Sequence, residues 1–119
     1  HNSPSSHSWF KNVNETNSAS FENDVTNNKL PVILDFFSTE CPPCEALAPK
    51  FDSLADEYLG KVAFYKIFRQ GNRDIAEKFG VTGSPSLLFF KNGNPFDKIL
   101  TGAIKKSEIK QIIDEELLK

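Results

Sequence analysis

The chain has 119 residues, enough for one ordinary domain and too few for two well-buried cores. Fourteen Lys and Arg against sixteen Asp and Glu give a formal net charge of -2 with both signs interspersed, which excludes the basic footprint of a nucleic-acid binder. No apolar run approaches the ~20 residues of a membrane span, and two cysteines are too few for the disulfide framework of a small secreted domain.

Residues 1–20 are rich in Ser and Asn and show no periodicity, so they read as a flexible N-terminal arm or linker, with the folded domain over residues 21–119. Trp9 and Phe10 are expected to dock from this arm onto the core. The chain starts without Met and without a signal-peptide pattern, as a processed form, an excised domain or a tagged product would. Asn14-Glu15-Thr16 matches a glycosylation acceptor, a short pattern that matters only in a eukaryotic secretory protein.

A short helix is expected over residues 19–27, with Phe21 and Val25 facing inward at i and i+4. Residues 31–37 form a continuous apolar run that suits a parallel strand covered on both faces. From 41 to 59, Leu47, Phe51, Leu54, Ala55 and Tyr58 recur at helical spacing, with Pro49 expected to kink the helix. A second strand over 62–68 is followed by a helix over 73–79, for which Asn72 is the expected N-cap. A third strand over 85–91 leads through Asn92-Gly93, the strongest hairpin signal in the chain, to a strand over 98–101. The last helix spans 106–118, with Ile109, Ile112, Ile113 and Leu117 on one face. This order implies an α/β mixed sheet covered on both faces.

The only cysteines, Cys41 and Cys44, stand where the first of these strands gives way to a helix. Residues three apart on adjacent turns have Cβ atoms ~5–6 Å apart, and a disulfide needs ~3.5–4.5 Å, so a slightly tightened turn lets the bond open and close. Cys41 at the N-cap would be stabilised as a thiolate by unpaired amides and the helix dipole, which makes it the nucleophile. Cys44, one turn inside, is expected to be better shielded and to resolve the mixed disulfide. Pro42 and Pro43 fit the first helical positions, but Pro43 removes one amide that could have capped the sulfur. A static disulfide is one alternative. A zinc site is the other, and besides the cysteines only His1 and His7, with carboxylates, are available to complete it.

Asp35 is a carboxylate in the middle of Val-Ile-Leu-Asp-Phe-Phe, costly there unless paired, protonated or functional. Burial would raise its pKa into the range useful for proton transfer, so it is a candidate base for Cys44, acting through a water. The alternatives are a strand-end carboxylate reaching solvent and a structural partner for Lys66 on the neighbouring strand. Pro85, in Gly83-Ser84-Pro85-Ser86, opens a strand, and by residue pattern alone its peptide bond is expected to be trans.

From about Leu30 to the C-terminus these motifs resemble the thioredoxin family: Asp35-Phe36-Phe37, Cys41-Pro42-Pro43-Cys44, Pro49, Gly80-Val81 to Pro85, Phe90-Lys91-Asn92-Gly93 and Gly102 appear in family order and spacing. The resemblance implies a thioredoxin fold, a three-layer sandwich with a central mixed β-sheet flanked by helices. It implies a thiol–disulfide oxidoreductase that exchanges with protein disulfides, most simply as a reductase, with no cofactor beyond the Cys41–Cys44 disulfide and no metal. It further implies that Pro85 is cis and faces the cysteines, that Ser84 pairs with a client strand, and that Lys66 partners Asp35. Gly83 and Gly102 support the site surface in the same reading. The same resemblance implies a reductase or a membrane donor as the source of electrons and a monomeric protein, with a cytoplasmic setting expected ahead of a periplasmic or secreted one. An extracytoplasmic oxidant or isomerase shares all these residues, and a non-catalytic module on the same scaffold is the remaining alternative.

Two positions beside the cysteines depart from the family. Glu40 stands in place of Trp and Pro42 in place of Gly, so both are expected to shape client binding, with Glu40 raising the pKa of the attacking sulfur and discouraging acidic clients. Arg69 and Arg73 stand in a segment that is typically acidic in thioredoxins and are read first as part of a solvated loop.

Overall fold

In the computed structural model, which describes residues 12–119, the apolar run of the first strand forms β2 (Val32–Phe37) at the centre of a five-stranded sheet. The other strands are β1 (Val13–Thr16), β3 (Ala63–Phe68), β4 (Ser86–Lys91) and β5 (Asn94–Thr101), in spatial order β1-β3-β2-β4-β5. β3 runs parallel to both β1 and β2, whereas β4 is antiparallel to β2 and β5 to β4, which makes the sheet mixed as expected. Helix α1 (Pro42–Glu57) carries the crossover from β2 to β3 and runs through Pro49. Helix α2 (Arg73–Lys78) follows β3 after a 3₁₀ turn at Arg69–Gly71. Helix α3 (Lys106–Ile112) continues into a wider π-type turn, Ile113–Leu117.

Strand alternation sorts β2 between two cores. Ile33 packs with Leu47, Phe51 and Leu54 of α1 and with Ile109 and Ile112 of α3. Val32, Leu34 and Phe36 face the other way, towards Phe21, Val25, Ile75 and Ala76. Phe21 and Val25 reach that core from the expected short helix, which is of π type over Glu22–Thr26 with Phe21 at its N-cap. Helical elements thus cover both faces, which is the three-layer sandwich. By the same alternation Asp35 shares the face of Ile33 and points beneath α1.

Three expectations need correction. Residues 13–16, expected within an arm, form β1, an edge strand paired with β3 from Val13↔Phe64 to Thr16↔Ile67. Only Val13 and Thr16 are buried, and Thr16 satisfies its hydroxyl by donating to Asp24 Oδ2 at 2.8 Å. Trp9, Phe10, His1 and His7 lie outside the described residues. Secondly, Asn72 holds the N-cap position of α2 without capping it. Its Oδ1 instead accepts from the amide of Ser18 (2.8 Å) and its Nδ2 donates to the Phe68 carbonyl, so a tertiary tie has outcompeted the local cap. Thirdly, β5 begins at Asn94 rather than near Lys98, because pairing continues outward from the turn at Lys91↔Asn94.

That turn is built from two left-handed residues, Asn92 (φ 56°) and Gly93 (φ 79°), as a type I′ hairpin requires. A Cβ at Gly93 would also meet the Thr26 carbonyl oxygen at 2.5 Å, so the turn packs against backbone as well as demanding positive φ. Gly93→Ala is therefore expected to destabilise the fold by roughly 2–3 kcal/mol, the sum of the φ penalty and the displaced contact. Urea denaturation measures this directly. An unchanged midpoint would mean that the hairpin can move off Thr26 at no cost.

Candidate active site

The site lies where β2 ends and α1 begins. After Phe37 the chain turns through Glu40, an exposed non-glycine residue with φ 50°, a conformation that persists only where surrounding structure imposes it. Cys41 then adopts the extended N-cap conformation (φ −128°, ψ 91°), and Pro42 and Pro43 open the helix. Pro43 has no N–H to give, so the sulfur of Cys41 accepts from the Cys44 amide, at 3.3 Å. Cys41 and Cys44 are joined in a disulfide with their Cα atoms 5.2 Å apart.

Burial does not separate the two cysteines as expected, since they are 7% and 8% exposed. They differ in what they face. Cys41 Sγ lies 3.6 Å from the Ser84 carbonyl oxygen. In the disulfide this is a contact without a proton; in the dithiol, the Cys41 S–H can donate to the same oxygen. The Ser84–Pro85 peptide bond is cis, as the resemblance implied and local pattern did not. Gly83, Ser84, Pro85 and Gly102 (φ 74°) line a surface groove on this side.

Cys44 faces the interior. With Asp35, Lys66, Val13, Phe37 and Phe51 it lines a cavity of about 210 Å³ beneath α1. Asp35 is 6% exposed, which excludes the solvent-reaching alternative, and its Oδ1 has no hydrogen-bond partner among the described residues. Burial pushes its pKa up to about 7, and the nearby Lys66 charge pulls it back only in part. Lys66 is the register partner of Asp35 across β2 and β3, and its Nζ lies 5.4 Å from the centre of the Phe37 ring. A carboxyl group that titrates near neutrality, in a cavity that also reaches a redox sulfur, can hold or release a proton during sulfur chemistry.

Two residues of the site escaped the sequence reading. Val13 closes the cavity from β1, and a single apolar residue among Asn, Glu and Thr carries no period to reveal it. Arg69 was read as part of a solvated loop, yet its Nε donates to Ser84 Oγ at 2.9 Å, which brings a cation to the residue that touches Cys41. No sequence signal joins two polar residues fifteen positions apart. Among the described residues no group of three His, Cys, Asp or Glu could hold a metal ion.

A disulfide at a helix N-terminus, facing a cis-proline loop and backed by a carboxyl group, defines a dithiol–disulfide exchanger whose redox group is part of the chain itself. The family model Thioredoxin matches residues 12–115. Thioredoxin M-type, chloroplastic, from Spinacia oleracea is 37% identical over 107 residues, covering 90% of this chain, and the chain spans 59% of that protein's length. Thioredoxin from Pseudomonas aeruginosa is 38% identical over 105 residues, covering 88% of this chain and 95% of the relative. Thioredoxin from Porphyra purpurea is 35% identical, covering 87% and 95%. The chain belongs to the thioredoxin family, and it is a thiol–disulfide oxidoreductase.

Proposed function

We propose that this protein reduces protein disulfides, with Cys41 as the attacking sulfur, Cys44 as the resolving one and Asp35 as the base between them. The Cys41 thiolate attacks one sulfur of a client disulfide; that bond breaks, a Cys41–client disulfide forms, and the first client sulfur leaves as a thiolate that takes a proton from solvent. Cys44 then passes its proton towards the Asp35 carboxylate and attacks the Cys41 sulfur. The second client sulfur leaves, two electrons have reached the client, and Cys41–Cys44 is again a disulfide. An external dithiol or a reductase restores the dithiol form, which suits a reducing compartment such as the cytoplasm. The observation that carries this reading is the opposed setting of the two sulfurs, Cys41 against the Ser84–Pro85 loop and Cys44 against the Asp35 cavity.

Reduction of insulin by dithiothreitol, with Cys41→Ser as control, tests the activity; no turnover with any reductant would overturn it. Glu40 supplies a further check. Its carboxylate directly precedes the attacking residue and disfavours a second negative charge there. Glu40→Gln is therefore expected to raise the alkylation rate of reduced Cys41 at pH 6 by about two- to threefold. An unchanged rate would remove Glu40 from the electrostatics of the site.

A further inference from the structure

We propose that Arg69, helped by Arg73, makes this protein prefer clients that carry acidic side chains beside the disulfide; this rests on the reductase reading above. Ser84 is the link. Its carbonyl oxygen lies 3.6 Å from Cys41 Sγ while its hydroxyl accepts from Arg69 Nε at 2.9 Å, so a fixed cation stands one residue away from the reacting sulfur. The bond to Ser84 uses one edge of the guanidinium and leaves its terminal nitrogens free of any hydrogen bond described. A client segment laid along the Ser84–Pro85 loop must pass this group.

Arg73, the first residue of α2, lines the same shallow groove as Arg69, together with Ala76, Glu77, Val81 and Thr82. Its charges are two arginines and one glutamate, a balance of +1 (2 − 1). Neither arginine belongs to the ion pairs described, Lys98–Glu116 and Lys110–Glu57. Glu40 lies on the chain just ahead of Cys41 and is exposed. The surface beside the disulfide therefore carries a cation at Arg69, bonded to Ser84, with Arg73 in the adjoining groove. Arg69 thus opposes the expectation that Glu40 discourages acidic clients, and the charge preference among clients reports which of the two prevails. Arginine fits the role because it stays charged at every relevant pH and presents a planar fork that matches a carboxylate.

Exposed pairs of this kind are individually weak and act mostly through encounter, so the expected preference is about fivefold at low salt, falling towards unity as salt screens it. The test uses short peptide disulfides that are identical except for Glu, Gln or Lys placed two residues before or two residues after the reacting cysteine. kcat/KM is measured for each with dithiothreitol as donor. At one of the two positions the Glu peptide should exceed the Lys peptide by about fivefold. Arg69→Gln should bring that ratio below about twofold, Arg69→Lys should keep more than half of it, and 0.5 M salt should flatten it in the unchanged protein. Because each value is a ratio within one protein, a general loss of activity cancels. If Arg69→Gln fails to fold, Arg73→Gln and the salt series carry the test. Turnover of every peptide without a charge preference, or a preference that Arg69→Gln leaves intact, overturns the inference alone. No turnover of any peptide overturns the reductase reading itself.

Discussion

Replacing Cys41 with Ser is expected to bring protein-disulfide reduction down to the uncatalysed rate, a loss on the order of a thousandfold or more, because a neutral hydroxyl cannot replace a thiolate in exchange. Cys44→Ala should behave differently. Cys41 remains at the N-cap with the residue 44 amide still directed at its sulfur, so the first attack proceeds and then stops at a Cys41–client disulfide. The expected product is a covalent complex, seen as a higher-mass species without reductant and released by dithiothreitol. The prediction depends on the position of each sulfur, since the two residues are equally buried. Alkylation of the reduced protein with limiting iodoacetamide, followed by mass mapping, checks the same asymmetry independently. Preferential labelling of Cys44, or covalent trapping by Cys41→Ser instead of Cys44→Ala, would reverse the roles.

Much of this site is legible because its signals are local. β2 is visible as an unbroken apolar run, and Asp35 stands out as the one charge within it. The helix register then places Cys41 at the cap and Cys44 one turn in, and the proline pair fits the first turn without competing partners. Asn92-Gly93 is legible for a similar reason, since both positions need positive φ. What stayed hidden is set by tertiary contacts. β1 is an edge strand with two inward residues in four, too short for any period to emerge. The early part of β5 is mostly exposed on both faces, with Pro95 tolerated at the edge, so it lacks the alternation that marks a half-buried strand. Asn72 shows why a correct position can still mislead: the cap site is right, but Ser18 from the segment after β1 takes the side chain. The cis bond at Pro85 came from the resemblance, as base rates favour trans. Arg69 is the most consequential omission, because a charge in a turn looks the same in sequence whether it meets water or Ser84.

Asp35→Asn is expected to stabilise the protein and slow it, and both effects should depend on pH. Burial holds the carboxyl pKa near 7 against an ordinary 3.8, so the folded state binds this proton more tightly than the unfolded chain. Between those values the native form carries more protons, and the free energy of unfolding therefore falls as pH rises. Stability from this group is fully present below about pH 4, is lost progressively up to about pH 7, and changes no further above that. Three pKa units at ~1.4 kcal/mol each set the scale at ~4 kcal/mol. Asn removes the charge while keeping the shape, so the variant should gain most of that at pH 8 and little at pH 4. Urea unfolding at the two pH values checks it, and an equal effect at both would mean that the carboxyl does not ionise inside the fold. The kinetic cost arises from the same group. Asp35 and Cys44 line one cavity, large enough to admit a bridging water, and the carboxylate accepts the Cys44 proton only when ionised. Resolution of a preformed Cys41 mixed disulfide should consequently accelerate through about pH 7 in the unchanged protein. In Asp35→Asn it should be roughly ten- to a hundredfold slower at pH 7.5, and its pH dependence should move up to that of the thiol alone. A variant that gains stability yet resolves at the normal rate would separate the two roles and leave Asp35 as a buried charge without a part in the chemistry. The expected result joins them: the desolvation that makes ionised Asp35 costly to the fold is what tunes it to take a proton near neutral pH.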